Sequence, residues 1–321
     1  MWGYSVAVIS GLVMLVWGAD RVVLGVGVLA RNHGISPMLI GLTLVGFATS
    51  LPEVVVSATA ALEGVPNLAI GNALGSNIAN VGLVIGVAAL VRSLSIQSET
   101  LRRELPVMLA VSVIPVLLFS DGRLSRLDGV LLLTGLAAFV AWITLLGLRT
   151  RGRDPLEAEF AAEIPAGLGS GRAIAWITVG LAAVLGGSNA LVWGAANGAR
   201  SLGISELVIG LTVVAVGTSL PELAVSVASA RKGEHGLALG NVIGSNAFNL
   251  LAVIGVAAVI HPAKLDPDAV TVHLPAMLAF TVALFFIAYN QSDTLRVSRP
   301  AGFMLLAAYL GYLGFLASTS L

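Results

Sequence analysis

Gly41-Leu-Thr-Leu-Val-Gly-Phe-Ala-Thr-Ser-Leu-Pro-Glu53, followed by Gly71-Asn-Ala-Leu-Gly-Ser-Asn-Ile-Ala-Asn80, is written twice in this chain. The second copy is Gly210-Leu-Thr-Val-Val-Ala-Val-Gly-Thr-Ser-Leu-Pro-Glu222 with Gly240-Asn-Val-Ile-Gly-Ser-Asn-Ala-Phe-Asn249, each position offset by 169 with no gap. Across these two stretches 15 of 23 positions are identical, so the chain carries an internal duplication. Each copy sets an acid, hydroxyls, amides, glycines and a proline inside strongly apolar sequence. Such groups are expensive in hydrocarbon and mark a functional pathway.

The surroundings identify the solvent. The chain has 321 residues, 57% of them hydrophobic and only 11% charged, with a mean hydropathy of +0.96. A soluble domain has no use for so much apolar surface, so the medium is a bilayer. A formal net charge of zero points away from a nucleic-acid partner, and the absence of cysteine removes disulfide and thiolate chemistry. Met1-Trp-Gly-Tyr lacks the basic start of a signal peptide and reads as the beginning of the first span.

Ten apolar runs follow, at roughly 3–30, 36–62, 67–91, 104–120, 126–148, 173–199, 205–230, 236–260, 270–289 and 300–319. Each is close to the ~20 residues that cross hydrocarbon. The long polar interruption at 149–172, with Arg149, Arg151, Arg153, Asp154, Glu157, Glu159, Glu163 and Arg172, separates two halves of five spans, 1–148 and 173–321. Its acids read as a solvated face. An odd number of spans per half turns the second copy upside down, and inverted repeats with a site near the midplane are a transporter arrangement. With the N-terminus outside, the inner loops hold Arg31, Arg92, Arg102, Arg103, Arg149, Arg151, Arg153, Arg172, Arg231, Lys232, Arg296 and Arg299. The outer loops hold only Arg123, Arg126, Arg200 and Lys264. That asymmetry places both termini outside and the linker in the cytoplasm. The expected fold is therefore all-α, ten transmembrane helices in two inverted five-helix repeats.

Proline lacks an N–H and crowds the carbonyl four residues back, Ala48 for Pro52 and Gly217 for Pro221. Those carbonyls need another partner, and broken backbone inside a membrane survives only where protein or a wet cavity covers it. Thr49, Ser50 and Glu53 add hydroxyl and carboxylate oxygens beside them, as do Thr218, Ser219 and Glu222. Ser76 and Asn80 share a helix face, as do Ser245 and Asn249. Together these make a cage of oxygens with two carboxylates, the donor set of a hard cation such as calcium. The four histidines, His33, His235, His261 and His273, fall near span ends, so zinc or copper is not expected.

At these residues the chain resembles the calcium/cation antiporter superfamily, especially prokaryotic sodium/calcium exchangers. The resemblance rests on paired Gly-x-x-x-Thr-Ser-x-Pro-Glu and Gly-Asn-x-x-Gly-Ser-Asn-x-x-Asn patterns, with Gly46 one residue loose in the first copy. It implies four broken helices, the second, third, seventh and eighth spans, packed around the ions. It implies ligands at Thr49, Ser50, Glu53, Ser76, Asn80, Thr218, Ser219, Glu222, Ser245 and Asn249, with backbone carbonyls near Gly46 and Ala215. The first and sixth spans would slide across this core. Both copies end in Asn where some members carry Asp at the position of Asn249, leaving two carboxylates instead of three.

The function so implied is a secondary antiporter in the prokaryotic cytoplasmic membrane, exporting calcium against sodium by alternating access, with ions as cargo and no cofactor. A calcium/proton antiporter uses the same site. An intramembrane hydrolase with Glu53 and Glu222 as acid and base is the reading from another class. It needs unlike roles for the two acids, whereas their surroundings are duplicated almost evenly. Asn77 and Asn246 are read as hydrogen-bond bridges between the broken helices. Asp20 is read as a structural pair or helix-end group, with Arg21 adjacent. The spacings Gly71-x-x-x-Gly75, Gly82-x-x-x-Gly86 and Gly240-x-x-x-Gly244 predict close helix packing.

Overall fold

The computed structural model describes residues 2–34, 40–64, 66–96, 99–150, 168–201, 215–288 and 295–319. The described residues are almost wholly helical. Helix α1, Trp2–His33, is followed by a π-helical stretch, Gly41–Val45, running into α2, Gly46–Thr49, and then by α3, Leu51–Leu62. Next come α4, Pro66–Val91; α5, Glu99–Leu118; and α6, Arg126–Thr150. The second half holds α7, Ser170–Ser201; α8, Ala215–Thr218; α9, Leu220–Lys232; α10, His235–Ile260; α11, Ala269–Ala288; and α12, Arg299–Thr319.

Seven of the described helices are long and apolar enough to cross a membrane, and the bent pair Leu42–Thr49 and Leu51–Leu62 makes an eighth. The fourth expected span falls on α5 and the turn that follows it, where the apolar stretch among the described residues, Leu105–Asp121, is shorter. Pro106 and Pro115 lie within this helix. The seventh begins outside the described residues and continues as α8 and α9. The polar linker also lies mostly outside them.

Burial sorts the helices. The apolar window of α10 is 83% buried and that of α4 72%, against 17% for α12 and 22% for α6. Helices α4 and α10 therefore form the centre, and the others screen them. The outer face carries Leu127, Leu131, Phe286, Phe303, Met304 and Leu310, all exposed. An apolar belt of this extent suits lipid, not water.

Two broken helices are found where four were expected. The second span bends by 47° around Ser50, and the seventh breaks at Ser219. Proline stands in the first turn of both α3 and α9, where its missing N–H costs nothing, so the break falls just before it. Helices α4 and α10 run through without a break. Each instead widens into a π-helical stretch, Asn80–Ile85 and Asn249–Val253, beginning at the last motif asparagine. No proline interrupts these runs, and an extra residue per turn accommodates the local strain while keeping the backbone paired.

Two short antiparallel ribbons tie the halves together. Strand β1, Leu94–Ile96, pairs with β4, Leu295–Val297, in the register Leu94↔Val297; β2, Arg123–Leu124, pairs with β3, Ala263–Lys264, in the register Arg123↔Lys264.

Helices α1 and α7 pack antiparallel along a stripe of glycines at heptad spacing. A Cβ on Gly18 would lie 2.7 Å from the Gly180 carbonyl, and one on Gly180 would lie 2.7 Å from the Gly18 carbonyl. The pair shares its own apolar cluster, including Leu15, Val22, Val26, Ile177 and Val184, apart from the main core around α4 and α10. Of the glycine spacings flagged in the sequence, Gly82 and Gly86 meet Tyr309 and Gly302, and Gly244 meets Leu42. At Gly71 and Gly75 a Cβ would meet nothing within 4 Å, because a spacing on one helix does not specify what stands opposite. Gly18→Val is therefore expected to destabilise the fold by about 1–3 kcal/mol through overpacking. Gly71→Ala is the control that does not, and thermal unfolding of the two purified variants separates them.

Candidate functional site

Breaking the second span at Ser50 turns Thr49 toward the middle of α10 and Ser50 toward Glu222 of α9. Glu53 is 1% exposed and Glu222 is fully buried. Among the described residues no cation pairs with either carboxylate. Around Glu222 stand neutral hydroxyl oxygens from both halves of the chain.

Ser50 Oγ lies 3.4 Å from Glu222 Oε1, and Ser245 Oγ lies 3.3 Å from the same atom. Ser245 Oγ is also 3.2 Å from the Gly46 carbonyl oxygen and 3.3 Å from Thr49 Oγ1. Thr49 Oγ1 reaches the carbonyls of Val45 at 3.1 Å and Gly46 at 3.3 Å, and Asn241 Oδ1 at 3.3 Å. These separations are at the long end for hydrogen bonds. Three hydroxyl protons serve more acceptors than they can satisfy, since each hydroxyl donates once. The cluster is rich in lone pairs and poor in donors, which is what an oxygen-coordinated cation requires.

Several buried atoms have no hydrogen-bond partner among the described residues: Glu53 Oε2, Glu222 Oε2, Ser219 Oγ, Asn77 Oδ1, Asn80 Oδ1 and both amide atoms of Asn249. A buried carboxylate oxygen without a donor is costly unless a cation satisfies it.

The amides above the cage join the two halves. Asn77 Nδ2 donates to the Asn246 carbonyl at 3.2 Å, and Asn80 Nδ2 donates to Asn246 Oδ1 at 3.0 Å. Asn77 and Asn246 thus bridge helices as expected, although the helices they bridge, α4 and α10, are the continuous ones.

The structure brings Gly46, Thr49 and Ser50 from the first half against Glu222 and Ser245 from the second. Ser76, Asn80 and Asn249 are buried on α4 and α10, and Ser219 is buried at the break between α8 and α9. Ala215 and Thr218 form the ends of α8, and the Thr218 side chain lies outside the described residues.

Sequence reasoning missed three groups. Asn72 Nδ2 donates to Ser57 Oγ at 3.2 Å and lies 3.5 Å from the Glu53 carbonyl. Asn241 Nδ2 donates in the same way to Ser226 Oγ at 3.1 Å and to the Glu222 carbonyl at 3.3 Å. Each amide thereby fastens its acid's helix to the next one. Both pairs keep the offset of 169, a signal present in the sequence. The third is Ser188, whose Oγ donates to the Gly217 carbonyl at 2.8 Å. The carbonyl beside Pro221, expected to look for a cation, is already satisfied by α7. The position offset from Ser188 in the first half is Ala19, which has no hydroxyl, so the repeat pattern could not reveal it.

Asp20 pairs with Lys232, Nζ to Oδ1 at 2.5 Å, and not with its neighbour Arg21. The Arg21 guanidinium instead stands over the rings of Trp17 and Trp176.

The sodium/calcium exchanger protein family matches residues 4–145 and 172–317, nearly all of the chain on either side of the linker. The chain belongs to that family. An exchanger-family relative, sodium/calcium exchanger MaX1 of Methanosarcina acetivorans, is 32% identical over 94% of this chain and 95% of its own. The inner membrane protein YrbG of Escherichia coli is 41% identical over 96% of this chain and 95% of its own. Solved structures of the sodium-calcium exchanger NCX_Mj, soaked with sodium and strontium, superpose with a TM-score of 0.83 at 32% identity, covering 97% of this chain and 98% of theirs. As an exchanger-family member the chain is a multi-pass membrane antiporter, not an enzyme, and its ions are cargo with no cofactor involved. The hydrolase reading of Glu53 and Glu222 falls with that membership.

Proposed function

We propose that this exchanger-family antiporter moves calcium out of the cell against sodium entry. It does so by alternating access through one cage formed by Gly46, Thr49, Ser50, Glu53, Ser76, Asn80, Ala215, Thr218, Ser219, Glu222, Ser245 and Asn249. The observation that carries this reading is a pair of buried glutamates, of which Glu222 is met by hydroxyls from both halves, in a cluster with acceptors in excess of donors. Two carboxylates neutralise one calcium ion. The many neutral oxygens make sense if sodium ions are also held separately in the same space, whereas two protons would need only the acids. The naming of MaX1 and NCX_Mj as sodium/calcium exchangers supports the choice of ions.

In this reading the chain makes ten spans, five in 1–148 and five inverted in 173–321, joined by the cytoplasmic segment 149–172. The contacts at the helix ends support it. The ribbon β1–β4 joins two loops assigned to the cytoplasm, and β2–β3 joins two assigned to the outside. Asn67 Nδ2 donates to the Lys264 carbonyl between outer loops, and Asn32 Nδ2 donates to the Leu168 carbonyl between inner ones. Every cross-half contact named here keeps to one side. The name of YrbG supports the cytoplasmic membrane as the location.

Binding tests the shared cage. Calcium and sodium are expected to exclude each other in purified protein, with the apparent calcium affinity falling more steeply than in proportion to sodium. Isothermal titration at several sodium concentrations measures this; calcium affinity indifferent to sodium contradicts a single cage.

Topology is tested separately. The chain has no cysteine, so a membrane-impermeant thiol reagent meets no background. Ser125→Cys is expected to label in intact cells and Ser170→Cys only after lysis. The reverse pattern inverts the orientation.

A further inference from the structure

The two halves are related by the offset of 169 in sequence, yet one contact has no counterpart. Asp20, just past the middle of α1, forms an ion pair with Lys232, the final residue of α9, and Lys232 Nζ also donates to the Asp20 carbonyl at 3.2 Å. The positions that answer Asp20 and Lys232 in the other half are Asn189 and Glu63. An amide and a carboxylate form no ion pair, and both residues are exposed.

Packing follows the same asymmetry. Helix α1 lies along α9, and Val225 of α9 belongs to the apolar cluster that α1 shares with α7. Among the described residues α7 makes no comparable approach to α3. Among the described residues the α1–α7 pair is therefore docked on the core at the Lys232 end and not at the Glu63 end. Helices α1 and α7 interlock backbone to backbone through Gly18 and Gly180, so a contact made by one of them bears on both.

We propose that Asp20–Lys232 is a one-sided latch. It holds the α1–α7 pair against the end of α9, favours the conformation closed at that end, and makes the exchange cycle unequal in its two halves. This rests on the alternating-access reading for its role in transport, but not for its existence. A partly exposed ion pair shifts such an equilibrium modestly, by about two- to fivefold. That is enough to set which conformation rests without preventing the other.

The test reads distance instead of transport. Spin labels at Val13→Cys on α1 and Ala228→Cys on α9 report the docked population in lipid nanodiscs by pulsed dipolar spectroscopy. Asp20→Asn and Lys232→Gln are each expected to lower the short-distance fraction about two- to fivefold relative to the long one. The exchange Asp20→Lys with Lys232→Asp is expected to restore it, which a merely structural role for either side chain would not do. Asn189→Asp with Glu63→Lys builds the mirror pair and is expected to shift the distribution toward the long distance. Size-exclusion profiles establish that each variant is folded. A distribution unmoved by both single variants, a swap that fails to restore it, or a mirror pair without effect overturns the latch. Since no ion gradient enters this measurement, failure of the sodium–calcium reading would leave the distance result intact, and failure of the latch would leave transport intact.

Discussion

Glu222→Gln is expected to reduce calcium exchange at least about 100-fold while leaving the protein folded, and Glu53→Gln to do the same. Both carboxylates are buried, without a paired cation among the described residues. Glutamine keeps the shape and one oxygen but removes a charge where charges interact several-fold more strongly than in water. Removing one partner of a buried charge pair costs 2–5 kcal/mol, and 100-fold in binding lies within that range. Thermal stability is expected to hold or rise, since the apo cage no longer confines two like charges. Calcium flux near the wild-type rate in either purified variant removes that residue from the cage.

Gly244→Ala is the second large effect, and its cause is backbone contact. A Cβ at this position would lie 2.1 Å from the Leu42 carbonyl oxygen, a distance that no rotamer change relieves because the obstacle is main chain. The π-helical stretch carrying Leu42 must move away from α10. Thr49 and Gly46 then lose their approach to Ser245, the next residue along α10. Overpacking of this kind costs about 1–3 kcal/mol in stability. The loss of exchange is expected to be larger, on the order of tenfold or more, because cation cages fail when ligands shift by about an ångström. Gly75→Ala, in open space, is the control expected to keep both. Equal behaviour of the two variants in flux and melting contradicts the packing argument.

The duplicated motif made much of the site legible in advance. An acid next to a proline in apolar sequence has few bland explanations, and finding it twice at one offset predicted that Thr49, Ser50, Glu222 and Ser245 share a site. The exchanger-family assignment followed from the same residues. What the repeat hid was whatever departs from it. Ser188 answers Ala19 and was passed over; Asp20 was read as a structural pair, but its partner Lys232, which answers Glu63, lies where symmetry offers no hint. Local geometry was also out of reach. Proline marks a break but not whether it stands inside a helix or at its first turn, and nothing in Asn80 or Asn249 announces a π-helical stretch in a continuous span. The glycine stripe of α1 and α7 needed the antiparallel partner before its heptad spacing meant anything.

Calcium flux into proteoliposomes, with sodium and pH gradients imposed one at a time, tests the central claim most directly. An outward sodium gradient is expected to drive calcium uptake. Two carboxylates with one calcium are neutral, and with three sodium ions they carry one positive charge. An inside-positive potential pushes that charge outward and is expected to speed the uptake. Calcium uptake that follows a pH gradient, ignores sodium and ignores voltage contradicts the account and makes the protein a calcium/proton antiporter on the same cage.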